Sequence, residues 1–282
     1  MTTHRFHVLR IQCERILQSS LFEIKRSPSE VIAASIEAQP ESVVRRNSEW
    51  HIAAPTPLSE GALAFQMGRV QSVPTPHYDD VKRVFFEFDT ERAPFTWAVF
   101  DERTQACGVL RKTGVSLRAT EVASKLERLL NASQVPQESG YNLYVEVIPD
   151  PEDFVDTLLT ADKVVRFAFT ARYENAFDVS RLIQRPAEQF NEKVGGEVTK
   201  VEVEGPDLSR PILEELTRGV AAVGEKATAT VRENAGSKLR KILLQGAPLL
   251  GEFEWVNEQV SPLDALKAAL REKYNSLRKE ER

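Results

Sequence analysis

Four histidines and two cysteines are the scarcest reactive side chains in this chain of 282 residues, and their spacing limits what they can do. His4 and His7 lie three apart at the start of a strand read over 5–13, in which Phe6, Val8 and Ile11 are not in strict register. Three residues along a strand put two side chains on opposite faces, so no shared metal is expected there. His77 precedes Tyr78-Asp79-Asp80 in a proline-rich stretch read as a loop. Loop His/Asp clusters can hold metal, but no third ligand is identifiable. Cys13 and Cys107 are too few for a disulfide framework or a four-cysteine zinc site, and read as buried, reduced thiols.

Nucleophilic catalysis needs a positioned base. No Gly-x-Ser-x-Gly elbow and no Gly-rich phosphate loop ending in Gly-Lys-Ser/Thr is present. Gly195-Gly196 joins a helix to a strand, the wrong order for a phosphate cradle, and reads as a helix cap. A metal nuclease of restriction type needs an acid followed by Glu-x-Lys on a strand. Glu23-Ile24-Lys25 has that spacing with only Glu14 upstream, and Glu197-Val198-Thr199-Lys200 is one residue too long. No catalytic residue, metal or cofactor is therefore expected.

The remaining chemistry is a row of cations. Arg166, Arg172, Lys200 and Arg232 fall on the polar face of three alternating segments, with Thr170, Thr228 and Thr230 between them. Such a row on an open sheet can meet nucleic-acid phosphates. The aromatics Phe167, Phe169 and Tyr173 face the other way, so stacking on bases is not expected. Glu202 and Glu204 dilute the charge. The plainer reading is a solvated face whose ions pair across strands.

These residues need a scaffold, and residues 164–233 supply the clearest one: strand, helix, strand, helix, strand. Val165, Phe167, Phe169 and Ala171 point one way and Arg166, Thr170 and Arg172 the other; Val201, Val203, Ala229 and Val231 continue the apolar face. One helix is predicted over 178–194, with Pro186 inside it. A second carries Leu208, Ile212, Leu216, Val220 and Val223 and stops at Gly224. A doubly wound parallel sheet would show unbroken apolar strands. Alternation predicts instead an open-faced layer with both helices on one side, joined by right-handed crossovers.

Upstream, strands are predicted at 5–13, 62–70, 81–88, 95–100, 105–112 and 142–148, and helices at 31–38, 120–131 and 154–159, the first opened by Ser27-Pro28-Ser29-Glu30. Residues 40–59 read as an exposed connection, and 246–262 as irregular chain that crosses back onto the body. The fold class is α+β: a strand-rich domain over 1–150, a β-α-β-α-β domain over 151–260, and an amphipathic C-terminal helix over 261–282. That helix opens at Ser261-Pro262 and aligns Leu263, Leu266, Leu270, Tyr274 and Leu277. Its stripe either docks on its own domain or, through Leu266, Leu270 and Leu277, meets a protein partner or a second copy.

The layout of residues 61–70, Pro76-His77-Tyr78-Asp79, the hairpin Trp97-Ala98-Val99-Phe100-Asp101 with Gln105-Ala106-Cys107-Gly108, and the series from Val164 resembles uncharacterised bacterial families of similar size, often encoded near anti-phage defence genes. The resemblance implies a cytoplasmic accessory or effector role in defence and supplies no catalytic residues. Composition is that of an ordinary soluble globular protein: 41% hydrophobic, 28% charged, no apolar run long enough to span a membrane and no signal-peptide core. Without a catalytic signature, a non-enzymatic interaction subunit and a nucleic-acid-acting protein stay open. A formal net charge of -5 argues against nucleic-acid binding through bulk charge and leaves only a local patch, for a binder or a cryptic nuclease.

Overall fold

The computed structural model describes residues 2–16, 26–45, 48–115, 117–171, 186, 190, 193–194, 198–255 and 261–278. Two antiparallel sheets carry the α+β architecture. The larger has nine strands: β1 (Thr2–Arg15), β2 (Glu41–Arg45), β3 (Ser48–Leu58), β4 (Ala62–Asp79), β5 (Val84–Arg92), β6 (Phe95–Asp101), β7 (Ala106–Leu110), β8 (Tyr141–Val147) and β13 (Leu250–Trp255). Its order is β13-β1-β7-β6-β4-β3-β2, with β8 also paired to β1 and β5 to β4. Helices α1 (Pro28–Glu37), α2 (Ala119–Ala132) and α3 (Val135–Glu138) lie on one side, and α6 (Pro262–Arg278) lies on the other.

β1 explains why its apolar residues resist a single alternating register. Leu9, Ile11 and Cys13 join α1 and α2 in one core, while Phe6 and Val8 join α6 in another. A strand covered on both faces has no solvent side to keep polar. The Ser27 start is a full capping box: the Glu30 amide donates to Ser27 Oγ at 3.4 Å, and the Ser27 amide donates to Glu30 Oε2 at 2.7 Å.

The expected connection over 40–59 is instead the two strands β2 and β3. Trp50 and Ile52 are buried, and β2 pairs only with the Ser48–His51 end of β3. Pro55 and Pro57 therefore sit where one edge of β3 has no ladder to serve, the position a strand proline tolerates. The chain over 246–262 does cross back, but as a strand: β13 pairs with β1 from Thr2↔Trp255 to His7↔Leu250. Leu250–Trp255, within the unit expected over 151–260, thus pairs with the larger sheet along the part of β1 that β8 leaves open.

The second sheet is β10 (Thr199–Glu204), β9 (Lys163–Ala171), β11 (Ala227–Arg232) and β12 (Arg240–Leu243), in that order. Helices α4 (Glu152–Thr160) and α5 (Arg210–Ala222) cover one face, burying Phe154, Leu158, Phe167, Leu216 and Val220 together. The series of right-handed crossovers expected from β9 onward is corrected at its first step, because β9 and β10 pair antiparallel. β10 and β11 both run antiparallel to β9, which lies between them, so α5 links two strands that never touch. The helix predicted over 178–194 and the Gly195-Gly196 cap fall mostly or wholly outside the described residues, as do Arg172, Tyr173 and the Glu23-Ile24-Lys25 triplet.

Two local readings shift by one residue. A bulge where Thr230↔Arg166 gives way to Val231↔Val164 leaves Val165 unpaired with β11, so Val164 takes the buried place assigned to Val165. α5 begins at Arg210, and its buried stripe uses Leu213, while Ile212 is 49% exposed.

The C-terminal helix docks on its own chain. Leu266, Leu270 and Tyr274 are fully buried and Leu277 is 4% exposed, packed with Phe6, Val8 and Val99. The leucines assigned to a partner are therefore spent inside the molecule. Arg271 locks the helix, donating through Nε at 2.9 Å and Nη2 at 2.6 Å to Asp101 Oδ1, whose carboxylate is inaccessible to solvent.

His7 is 3% exposed, opposite Val109 on one side and Leu250 on the other. Burial first, and the nearby Arg111 charge second, lower its imidazole to about 4 from an ordinary 6.5. The unfolded chain then binds a proton between about pH 6.5 and 4 that the folded chain refuses, so stability falls as pH falls through that window. Thermal melts from pH 7 to 4 should show a His7→Phe chain losing less stability than the parent; equal losses would assign the proton uptake to another group. Phe167→Ala, which empties the centre of the second core, should cost about 2–5 kcal/mol in chemical denaturation, and an unchanged midpoint would contradict its placement.

Candidate anion-binding face of the second sheet

With α4 and α5 on one side, the other side of the four-stranded sheet is open among the described residues. Alternation aims Arg166, Ala168 and Thr170 of β9 at it, with Lys200 and Glu202 from β10 and Thr228 and Thr230 from β11. Ala168 is opposite Glu202 on one neighbour and Thr228 on the other. A methyl group there, between longer side chains, leaves a depression of about 250 Å³. Lys226 and Lys241 complete its rim, Lys241 directly opposite Thr230.

The cations divide into two kinds. Arg166 is engaged: its Nη2 pairs with Glu202, and its Nε lies 3.2 Å from Glu204 Oε1. Glu204 is its direct cross-strand neighbour, so this part of the face is the ion-paired surface that the plainer reading describes. Lys200, Lys226 and Lys241 are exposed, and among the described residues none forms an ion pair. Thr170 Oγ1 donates to Glu225 Oε2 at 2.7 Å; Glu225 is itself buried. Four cations and one carboxylate, Glu202, line the depression in a chain of net charge -5.

Of the four residues expected to share this surface, Arg166 and Lys200 line the depression. Arg232 does not: it lies past the bulge, opposite Lys163. Arg172 is outside the described residues. Lys226 and Lys241 were missed because Lys226 immediately precedes its strand and β12 has no clear alternation. The signal for Lys241 is the basic run Lys238-Leu239-Arg240-Lys241, one short turn after β11.

Other candidate chemistries gather no comparable geometry. His77 lies on β4 rather than a loop and stacks on Phe88 with ring centroids 4.1 Å apart. Asp79 Oδ1 accepts from the amides of Val81 and Lys82, both at 2.9 Å, and so shapes a turn. Cys13 and Cys107 are buried, and burial pushes the Cys107 thiol up. Among the described residues no three His, Cys, Asp or Glu side chains converge to hold a metal, and no helix is long and apolar enough to cross a membrane. No family model matches the chain, and no curated protein matches its sequence.

Because Arg166 and its two glutamates are each about half exposed, their pairing contributes little to stability. Arg166→Ala should shift the unfolding free energy by less than about 1 kcal/mol. A loss above twice that figure in urea denaturation would show that this ion pair is structural rather than a surface feature.

Proposed function

We propose that this chain is a non-enzymatic interaction subunit of a larger bacterial assembly, and that the open face of its second sheet holds the phosphate backbone of nucleic acid. One observation carries the reading: Lys200, Lys226 and Lys241 turn toward one depression without carboxylate partners among the described residues, beside threonine hydroxyls. Lysine is a point charge with three rotatable donors, suited to phosphate oxygens that arrive without fixed geometry. The hydroxyls of Thr228 and Thr230 add neutral donors. The resemblance to defence-associated bacterial families supports placing such a subunit in a defence complex.

The chemistry also limits the mode of contact. Phe167 and Phe169 are buried on the helix side, so the face offers no aromatic platform for bases. Contacts go to the backbone, and binding is independent of sequence. Repulsion from the acidic remainder of the chain keeps affinity modest.

The test is a titration of labelled single- and double-stranded oligonucleotides at two salt concentrations. Three phosphate contacts predict a log–log salt slope of about -2 on single strands. Charge reversal of Lys200, Lys226 and Lys241 together should abolish binding, whereas Arg232→Glu should leave most of it. Absence of binding at low salt, or binding indifferent to the triple reversal, would reject this use of the face.

A further inference from the structure

A second surface stands apart from the first. β4 runs on past the body, and from Ser72 to Asp79 its ladder among the described residues is with β5 alone. The two strands form a ribbon whose outer edges pair with nothing among the described residues. Isolated two-stranded ribbons are marginal in water, and exposed edges invite pairing.

The ribbon is two-faced. Register places Val84, Phe86, Phe88 and Thr90 of β5 level with Asp79, His77, Thr75 and Val73 of β4 on one face. The reverse face carries Glu87, Asp89 and Glu91, with Phe85 and Tyr78 paired at its tip, ring centroids 4.8 Å apart; its row of three carboxylates resists burial against a like face. On the apolar face the rings touch one another: His77 lies 4.1 Å from Phe88 and 6.1 Å from Phe86, centroid to centroid. Even so, Val84, Phe86 and Phe88 remain 48%, 46% and 45% exposed. No core formed by the described residues covers them.

We infer that this face packs against the same face of a second copy, the two ribbons antiparallel about a two-fold axis level with Phe88. Charge selects that arrangement. Within the face, charge occurs only at the ends: Asp79 near the tip and Arg92 near the base, about 27 Å apart. Arg92 has no ion pair among the described residues, and the turn bonds of Asp79 use only Oδ1. Antiparallel stacking brings each Asp79 within reach of the other copy's Arg92. Parallel stacking sets like charge against like. The uncharged middle places Phe88 on Phe88 and Phe86 over Val73 and Thr90, an isologous contact that closes on itself.

Area sets its strength. Aromatic side chains bury about 150–250 Å² each, so three half-exposed side chains and His77 offer roughly 300–400 Å² per copy. The pair buries roughly 600–800 Å², below the 1,200 Å² or so of a stable interface. The dimer is weak and forms with rising concentration.

Sedimentation velocity over a concentration series tests this. The mass should rise from 31.8 kDa toward twice that value, and a Phe86→Ser/Phe88→Ser chain should stay at 31.8 kDa throughout. These side chains are outside the cores, so the variant keeps its thermal midpoint. Under mild oxidation, Thr75→Cys on the axis should form a covalent dimer, while Glu87→Cys on the reverse face should not; the native thiols are buried and silent. A constant mass for the parent, a doubly substituted chain that still dimerises, or equal crosslinking from both faces would each overturn the inference.

Discussion

Arg10 is the point on which the two halves of this molecule depend. It is 1% exposed, on the α6 side of the central strand β1. Its Nη1 donates to Tyr274 Oη at 3.1 Å and its Nη2 to Gln105 Oε1 at 3.3 Å. Tyr274 in turn donates to the carbonyl of Ala222 at 3.2 Å, and Gln12 donates to the carbonyl of Val223. Those carbonyls are the open C-terminal end of α5, which needs partners and favours a nearby cation. One buried side chain thus joins the large sheet, the C-terminal helix and the second unit. A guanidinium is costly to bury unless its donors are used, so removing any one partner destabilises the junction.

That junction decides what stays exposed. Gly224, at φ 73°, ends α5 so close to β8 that a Cβ would stand 2.6 Å from the Cβ of Glu146. The close approach seats α5 between its own sheet and the body. The helix side of the second sheet is thereby closed, and only the polar side is left for a ligand. The ribbon of β4 and β5 has no such cover, because the large sheet spends its helices on the strands nearer β1. The two candidate surfaces differ in kind: one is cationic and concave, the other apolar and projecting.

The same rule of cross-strand pairing explains both what the lysine face keeps and what it loses. Glu204 stands directly opposite Arg166, so their charges cancel locally. Lys200 faces Thr170 and Lys241 faces Thr230, neutral residues that leave the ammonium groups to solvent. A formal count of cations along the strands overstates Arg166 and overlooks Lys241, since the ledger depends on which residue lies opposite.

The sequence by itself determined what short-range chemistry controls. The capping box at Ser27 and Glu30, the stop at Gly224, the hairpin of β6 and β7, the two-faced strands β9 to β11 and the apolar stripe of α6 were all legible, because each depends on residues a few positions apart. Only the tertiary structure decided what those faces meet. β1 and β13 pair across most of the chain, and nothing within residues 250–255 announces that partner. Burial on both sides erased the alternation of β1, and a free edge let β3 carry prolines that locally argue for a loop. The antiparallel order of the second sheet, the convergence of Lys226 and Lys241 with Lys200, and the covering of Leu266, Leu270 and Leu277 are likewise outcomes of long-range contact. Local pattern sets which side of an element is apolar or charged; the choice among distant partners rests on loop closure and on the shape of the whole core, which no short window of residues contains.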